Sequence, residues 1–347
     1  MTTSTGPRRR RARATPSDVH GRAAKAQPTW ALAWDAVHGP RTLTSLDEIS
    51  AEFARPESRL WIDLEDPDRE LLLQLCDVLQ LHPLVTEDIL ERNQRAKIEE
   101  TGRELHIVLF ALHHEEHRIF KHEIDIVLGK RFLLTVHDPG INPREAPFMR
   151  RDKGAHLEKG PDYTLWALSD WVVDDYFPVF DQVGDEIDEL EDRVLQQPNR
   201  ETVERLFDLR RDLLVIRHAV TPVREIFNQL TNRDVELISE ERLVYFRDIY
   251  DHLVRLNDEL ETYRELVSTA LDIYLSQVNN NLSEIMKRLT SVTVVVATIG
   301  AIAGIFGMSE AGSAFQFREA AGFWIVTGIA IALAAVIYMY FRRRNWI

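Results

Sequence analysis

The sequence contains one cysteine, Cys76, among 347 residues. A single thiol excludes an internal disulfide framework and a zinc site built from several cysteines, and it suits a reducing compartment. The chain also lacks a glycine-rich phosphate loop, a nucleophile elbow and an HExxH pair. No apolar run follows the N-terminal arginines, so no secretory signal is predicted there. Nothing in the sequence therefore argues for an enzyme.

Basic residues are scarcer than acidic ones: 42 Lys and Arg oppose 56 Asp and Glu, and the formal net charge is −14. The first thirty residues run against this trend, with seven basic groups and a single acid. We predict that residues 1–28 form a disordered basic tail, which is either solvated or in contact with anionic lipid headgroups. The acidic remainder repels nucleic acid and attracts cations.

Charge is absent altogether from two stretches near the C-terminal end. They are SVTVVVATIGAIAGIFGM (291–308) and GFWIVTGIAIALAAVIYMYF (322–341). Each approaches the roughly 20 residues that a helix needs to cross a hydrocarbon core. The alternative is a buried helix of a soluble core, which is hard to reconcile with two such stretches so close together. We predict a transmembrane hairpin with an external loop at 309–321 and a basic cytosolic tail at 342–347.

Basic residues flank this predicted hairpin at both of its ends. Lys287 and Arg288 precede the first stretch, and Arg342–Arg344 follow the second. Such flanks stay on the cytoplasmic side, so both termini are expected in the cytosol and the loop in the periplasm or outside. Two helices cannot enclose a water-filled path, so a conducting hairpin needs several copies around one axis. Gly300 and Gly304, at GxxxG spacing, either line such a path or simply allow close helix packing.

An amphipathic pattern leads into the first uncharged stretch. Apolar residues recur in steps of three and four at Phe246, Ile249, Leu253, Leu256, Leu260, Tyr263, Val267, Leu271, Tyr274 and Val278. This periodicity predicts one helix from near Glu240 to Met308, which is either a static stalk or a mechanical link to the membrane. Two further helices are predicted at 162–197 and 200–237. The first is rich in acids, as a solvated face or a cation-attracting surface would be. We assign 161–290 to a helical cytosolic domain and stalk.

Residues 29–160 are predicted to form a cytosolic α/β domain with a mostly buried sheet. The pattern indicates a strand at 61–64, helices at 69–79 and 83–90, and strands at 105–112, 123–129 and 131–138. His113, His114 and His117 fall where one of these strands turns into the next. They are either metal ligands beside two glutamates or side chains that splay into water.

Several blocks of sequence resemble the CorA family of magnesium and cobalt channels. They are HPLVTEDIL (82–90), NQR (93–95), GPDYTLWALSDWVVDDYF (160–177), DEIDELEDRVL (185–195), FRDIYDHLVRLNDELETYRELV (246–267) and YLSQVNNNLSEIMKRLT (274–290). The resemblance covers nearly everything after about residue 55. It implies a CorA-like funnel, in which an α/β N-terminal cytosolic domain is followed by long helices and a two-helix transmembrane hairpin. It also implies a homopentamer in the inner membrane.

The family signature Gly-Met-Asn, at the outer end of the first span, reads here as Gly307, Met308 and Ser309. Serine is shorter than asparagine and offers one hydroxyl, so a ring of serines is wider and has fewer side-chain acceptors. Ser283 stands where the family commonly has a second ring of asparagine. Both departures bear on magnesium selectivity rather than on architecture.

By the same resemblance, the long helix lines the pore. Met286 and Leu289 match an apolar constriction that closes by dewetting. Ala297, Gly300 and Gly304 would line the wider path beyond it.

The resemblance also implies a regulatory metal site between neighbouring subunits. Asp88 and Asp248, with Glu87 close by, match acids that bind cytosolic Mg²⁺ in the family. For Asp88, helix capping or a plain salt bridge is the other interpretation.

We therefore expect a passive divalent-cation channel. It would mediate influx of Mg²⁺, with some Co²⁺ or Ni²⁺, driven by the membrane potential and gated by cytosolic Mg²⁺. Mg²⁺ would be both the permeant ion and the regulatory ion, and no cofactor is expected. Two alternatives stay open because Ser309 departs from the signature. The chain could carry another ion such as Zn²⁺ or work in export, or it could be a non-conducting cation sensor.

Overall fold

The structure of the chain is a computed structural model. It describes residues 29–92, 94–152, 154–196, 199–233, 235–307, 319–344 and 346. The predicted basic tail at 1–28, Met308, Ser309 and the predicted loop up to residue 318 lie outside these residues. The chain divides into two compact units, one up to Val179 and again over Ile216–Asn257, the other over Phe180–Val215 and from Asp258 onward.

The first unit is built on a β-sheet. Its strands within the described residues are β1 (Trp30–Asp35), β2 (Gly39–Leu43), β3 (Arg59–Glu65), β4 (Lys97–Glu100), β5 (Glu104–Glu115), β6 (Arg118–Gly129) and β7 (Phe132–His137). They form one sheet in the order β2-β1-β3-β7-β6-β5-β4. β3 and β7 pair in parallel, and the other neighbours pair antiparallel. The strands predicted at 61–64, 105–112, 123–129 and 131–138 are confirmed, whereas β1, β2 and β4 were not predicted.

β5 and β6 form a long hairpin whose turn contains Glu116 and His117. Both turn residues have positive φ, 47° and 63°, which is the geometry of a two-residue hairpin turn that follows the twist of the strands. His113 and His114 directly precede Glu115, the last residue of β5, so the three histidines lie at the turn of this hairpin, as predicted from the sequence.

The helices within the described residues are α1 (Leu46–Phe53), α2 (Arg69–Leu79), α3 (Pro83–Glu91), α4 (Pro147–Asp152), α5 (Pro161–Asp174), α6 (Tyr176–Gln196), α7 (Arg200–Asn232), α8 (Leu243–Gly307) and α9 (Glu319–Arg343). α2 begins where Asp68 caps the amide of Leu71 at 2.9 Å. α3 begins with Pro83, whose missing N–H is not needed in a first turn. α8 is a single helix of 65 residues, close to the predicted span.

The prediction of one helix at 162–197 is wrong in one respect, because the helix is interrupted at Asp175 and forms two helices, α5 and α6. Directly after the break, the fully buried Tyr176 donates its hydroxyl to the carbonyl of Phe110 on β5. The helix predicted at 200–237 ends earlier, at Asn232.

The core of the first unit lies on both faces of the sheet. On one face α1, α2 and α3 bury Ile49, Leu75 and Ile89 against strand residues such as Ile62 and Leu134. α5 packs on β3, β5, β6 and β7. Full burial of each large apolar side chain contributes about 1.5–3 kcal/mol. The sheet therefore holds α3 and α5, which carry candidate metal ligands, in fixed positions.

Candidate functional site

One group of candidate metal ligands joins α5 to the beginning of α8. Asp170 lies on α5, and Asp248 and His252 lie one turn apart on α8, so both face the same side of that helix. One ligand atom of each residue lies within 4.8 Å of the other two. Carboxylate oxygens suit Mg²⁺, and the added imidazole suits a transition metal as well.

The electrostatics of this group favour a cation. Asp170 is half-buried, and burial, together with the nearby charges of Asp174 and Asp248, raises its pKa to about 6. His252 Nδ1 lies 3.9 Å from Asp174 Oδ1 and has no hydrogen-bond partner within the described residues. Three carboxylates therefore face one imidazole, and a bound divalent cation would offset their repulsion.

A cavity of about 240 Å³ opens beside these acids. Asp170 and Asp174 line it together with aromatic side chains that include Trp166 and Trp171. The aromatic walls lower the local dielectric, which strengthens the attraction between the carboxylates and a cation. Arg151 also lines the cavity, and its positive charge opposes a bound cation.

Asp88, the other predicted metal ligand, lies in a different group in the single chain. Its Oδ2 accepts a hydrogen bond from Lys97 Nζ at 2.6 Å, and its Oδ1 accepts one from Gln94 Nε2 at 3.3 Å. Glu87 precedes it on α3 and is exposed. The structure thus brings Asp248 together with Asp170 and His252, and Asp88 together with Lys97.

Asp170 and His252 were not predicted from the sequence. The spacing of Asp248 and His252 by four residues on one helix was a usable signal. Nothing in the sequence indicated that Asp170, 78 positions earlier, packs against them. His113, His114 and His117, at the turn between β5 and β6, belong to neither group of candidate ligands found among the described residues.

The predicted pore residues share one face of α8. At about 100° of rotation per residue, they fall within an arc of about 120°. The residues are Ser283, Met286, Leu289, Ala297, Gly300 and Gly304, and all are exposed in the single chain. A Cβ added at Gly300 or Gly304 would meet nothing within 4 Å. Gly307 ends the helix.

Thr293 lies within the same arc, although it was not among the residues predicted to line the pore. It is exposed, and its hydroxyl donates to the carbonyl of Leu289 at 2.8 Å. Because a hydroxyl oxygen has two lone pairs, Thr293 still offers an acceptor to water or to an ion.

The C-terminal half of α8 is suited to a membrane. Among the described residues, Glu240–Gly304 is long and apolar enough to cross a bilayer. Only 6% of its most apolar 18-residue window is buried in the single chain. A surface this apolar has to be covered by lipid or by other copies of the chain.

Comparisons with known proteins cover most of the chain. A family model described as CorA-like Mg²⁺ transporter protein matches residues 57–343, from just before β3 to the end of α9. The cobalt/magnesium transport protein CorA of Thermotoga maritima is 35% identical over 301 residues, which is 83% of this chain and 83% of that protein. CorA of Methanocaldococcus jannaschii is 27% identical over 309 residues, covering 87% and 95%.

A solved structure resembles the fold over a similar extent. The complete structure of the CorA magnesium transporter from Methanocaldococcus jannaschii matches with a TM-score of 0.76 at 26% sequence identity. The match covers 91% of this chain and 98% of that one. The sheet, the helices and the long α8 thus recur together in a transporter.

Proposed function

Because the chain belongs to the CorA-like Mg²⁺ transporter family, we propose that it is a passive channel that admits Mg²⁺, with some Co²⁺ or Ni²⁺, to the cytosol. The relatives named for cobalt and magnesium transport support Mg²⁺ and Co²⁺. One observation carries the proposal. The single helix α8 bears Asp248 and His252 near its start and the exposed face from Ser283 to Gly304 further along.

The pore of this channel is formed by several copies of the chain, five by resemblance, in the inner membrane. The two spans are 291–308 and 322–341, and both termini lie in the cytosol. Gly307, Met308 and Ser309 form the outer entrance in this proposal, where the serine hydroxyl contacts a hydrated ion.

Regulation in this proposal begins at the acids of the cytosolic part. A Mg²⁺ ion binds Asp170 and Asp248, and Glu87 and Asp88 of a neighbouring copy face it. The raised pKa of Asp170, caused first by burial and then by nearby acids, supports a site in need of positive charge. The bound ion neutralises carboxylates and holds the copies together. When it leaves, like charges repel and the copies separate.

The gate of this channel is the apolar constriction of Met286 and Leu289. Water leaves such a constriction when it is narrow and returns when it widens, so separation of the copies opens it. The membrane potential supplies the driving force, since two charges that move through about 100 mV gain roughly 4.6 kcal/mol. No nucleotide is needed, and the sequence has no phosphate-binding loop.

The test is flux into liposomes that contain the full-length chain. We expect uptake of Mg²⁺ to rise with an inside-negative potential and to slow when internal Mg²⁺ is raised. Asp248→Asn should require about tenfold more internal Mg²⁺ for the same inhibition. Asp251→Asn is the matched control, since Asp251 is exposed on the same helix outside the group. Its inhibition should equal that of the wild type.

The same assay separates the alternatives. Side-by-side flux of Mg²⁺, Zn²⁺ and Co²⁺ identifies the preferred ion, and flux in both orientations identifies export. Ser309→Asn restores the family signature and should raise Mg²⁺ selectivity if the serine widens the entrance. Absence of flux for every ion, together with cation-dependent protection from proteolysis, would contradict the channel and favour the sensor.

A further inference from the structure

A second group of metal-ligating side chains lies at the β4 edge of the sheet. Asp88, Glu99 and His106 each bring one ligand atom within 4.8 Å of the other two. Asp88 comes from α3, whereas Glu99 and His106 are directly opposite each other on β4 and β5. Opposite residues of an antiparallel pair point to the same face, so the register of the sheet brings these two side chains together.

His106 distinguishes this group from a plain acidic cluster. Its side chain is fully buried, and Nε2 lies 2.9 Å from Oδ1 of the equally buried Asp125. The other ring nitrogen, Nδ1, is buried without a hydrogen-bond partner in the part of the chain that the structure describes. Metal sites in proteins commonly orient an imidazole in this way, with one nitrogen held by a carboxylate and the other free for the ion.

A positive charge already lies between the two carboxylates. Lys97 Nζ is 2.6 Å from Asp88 Oδ2 and 3.2 Å from Glu99 Oε1. Lys97 and Glu99 are two residues apart on β4, so they share a face of the strand. The ammonium group therefore neutralises the acids in the absence of a metal ion. A metal ion that binds there has to displace it.

We propose that Asp88, Glu99 and His106 form a metal site within one subunit that prefers a transition-metal dication such as Zn²⁺ or Co²⁺ to Mg²⁺. Lys97 competes with the ion for the two carboxylates. The preference follows from the donor set, because imidazole binds transition metals well, while Mg²⁺ favours oxygen ligands in an octahedral shell. Asp125 is a positioning residue that holds the imidazole.

Metal binding at this site does not depend on the proposed channel function, since its ligands all come from one chain. It shares only Asp88 with the proposed Mg²⁺ site. Glu99 and His106 belong to the transition-metal site alone, so changes there leave the proposed Mg²⁺ regulation through Asp170 and Asp248 intact.

The experiment measures Zn²⁺ binding to the full-length chain in detergent by competition with a chromophoric chelator. The Asp248→Asn background removes the other histidine-containing group. In this background, Glu99→Gln and His106→Phe should each abolish one Zn²⁺ equivalent per subunit and the matching Co²⁺ absorption band. Asp125→Asn should lower the affinity for Zn²⁺ about tenfold to a hundredfold. Lys97→Gln should raise the affinity for Zn²⁺.

Glu100→Gln is the matched control. Glu100 is exposed and follows Glu99 on β4, so its side chain points to the opposite face. The Glu100→Gln variant should bind Zn²⁺ with the same stoichiometry and affinity as the Asp248→Asn background. The Glu99 side chain is 47% exposed. The Glu99→Gln variant is therefore expected to fold even if the His106→Phe variant, changed at a buried position, does not. Equal Zn²⁺ binding by Glu99→Gln and Glu100→Gln, or displacement of Zn²⁺ by equimolar Mg²⁺, would overturn the site. Unchanged affinity in Lys97→Gln would overturn the competition.

Discussion

Asp63 is a fully buried carboxylate at the centre of the sheet, and three neighbours compensate its charge. Thr135 donates to Oδ1 at 2.5 Å, and Arg144 Nε donates to Oδ2 at 2.7 Å. His137 Nε2 lies 3.4 Å from Oδ1, which is long for a hydrogen bond but short enough for strong charge attraction. Removal of any one partner would leave buried charge less well compensated.

This buried group predicts a pH dependence of stability. Burial lowers the pKa of His137, but the adjacent Asp63 and the carbonyl of Asp138 outweigh it, so the pKa is raised above 6.5. The folded state therefore holds a proton that the unfolded state releases near pH 6.5. The resulting stabilisation is present below that pH and is lost as the pH rises through the folded-state pKa.

We expect the melting temperature of the full-length chain to fall as the pH is raised from 6 towards 9, measured by differential scanning calorimetry at fixed salt. The His137→Gln variant should have a smaller slope, and a part should remain because the raised pKa values of Glu123 and Asp170, about 7 and about 6, act in the same direction. His218→Gln, at an exposed position on α7, should keep it. A wild-type slope in His137→Gln would assign the effect to other groups.

Thr293 offers a prediction about conduction. Thr293→Val removes the exposed hydroxyl from the predicted pore face while keeping shape, so the constriction should wet less readily. We expect Mg²⁺ flux to fall about tenfold, equivalent to about 1.4 kcal/mol in the barrier.

The matched control for Thr293 is Thr298→Val. The Thr298 hydroxyl donates in the same way to its own helix, to the carbonyl of Val294 at 2.7 Å. It lies about 140° around α8 from Thr293. Equal flux in the two variants would show that the predicted face does not line the path.

At the scale of elements, α6 and α8 approach closely at Gly184. A Cβ at this glycine would lie 2.6 Å from the Tyr263 hydroxyl oxygen, which donates to Glu259 Oε1 at 2.7 Å. The missing side chain thus leaves room for a tyrosine that belongs to the predicted apolar stripe of α8. Helix packing here depends on one small residue.

Gly184→Ala should therefore destabilise the chain by up to about 2 kcal/mol, because overpacking costs about 1–3 kcal/mol and the better helix propensity of alanine offsets about 1 kcal/mol of it. Tyr263→Phe removes the nearest oxygen, so the double variant should recover part of the loss in a double-mutant cycle. Denaturant unfolding, followed by far-ultraviolet circular dichroism, measures the free energy of unfolding of each variant. Strict additivity of the two changes would mean that the predicted clash is relieved elsewhere.

The break between α5 and α6 shows why one element was mispredicted. Asp175 is neither proline nor glycine, but Pro178 lies three residues later, in the first turn of α6. Because a proline cannot donate to the carbonyl four residues before it, Pro178 was a local signal for this interruption that the prediction did not use. The buried hydroxyl of Tyr176 is held by the carbonyl of Phe110, which is remote in sequence. Local periodicity cannot register such a contact.

At the scale of the whole molecule, α8 exposes apolar side chains that a single chain leaves uncovered. Met286 and Leu289 are 54% and 58% exposed. They lie between the acid-rich beginning of the helix and its uncharged end. Burial against other copies would remove this surface from water and lipid headgroups.

We therefore expect the purified chain to be a homo-oligomer, with five copies as the resemblance to the family implies, measured by native mass spectrometry in mild detergent. Leu289→Asp would place like charges at the shared axis and should reduce the oligomer. Leu195→Asp, an exposed leucine at the end of α6, is the control and should not. A monomeric wild type in detergent and in bilayers would contradict both the oligomer and the pore.

The sequence by itself determined the CorA-like fold, the strands of the β5 and β6 hairpin, the single long helix and its uncharged end. The CorA-like fold was implied by the resemblance to the family, whereas the strands, the long helix and its uncharged end depend on periodicity or composition over neighbouring residues. The resemblance also singled out Asp88, Asp248 and the pore face from Ser283 to Gly304.

Only the tertiary structure decided which acids meet. Asp170 joins Asp248 and His252, while Asp88 joins Lys97, Glu99 and His106. These partners come from separate elements and are brought together by the packing of α3 and α5 on the sheet and by strand register. Such distances depend on the burial of apolar residues elsewhere in the chain, so local patterns carry no record of them.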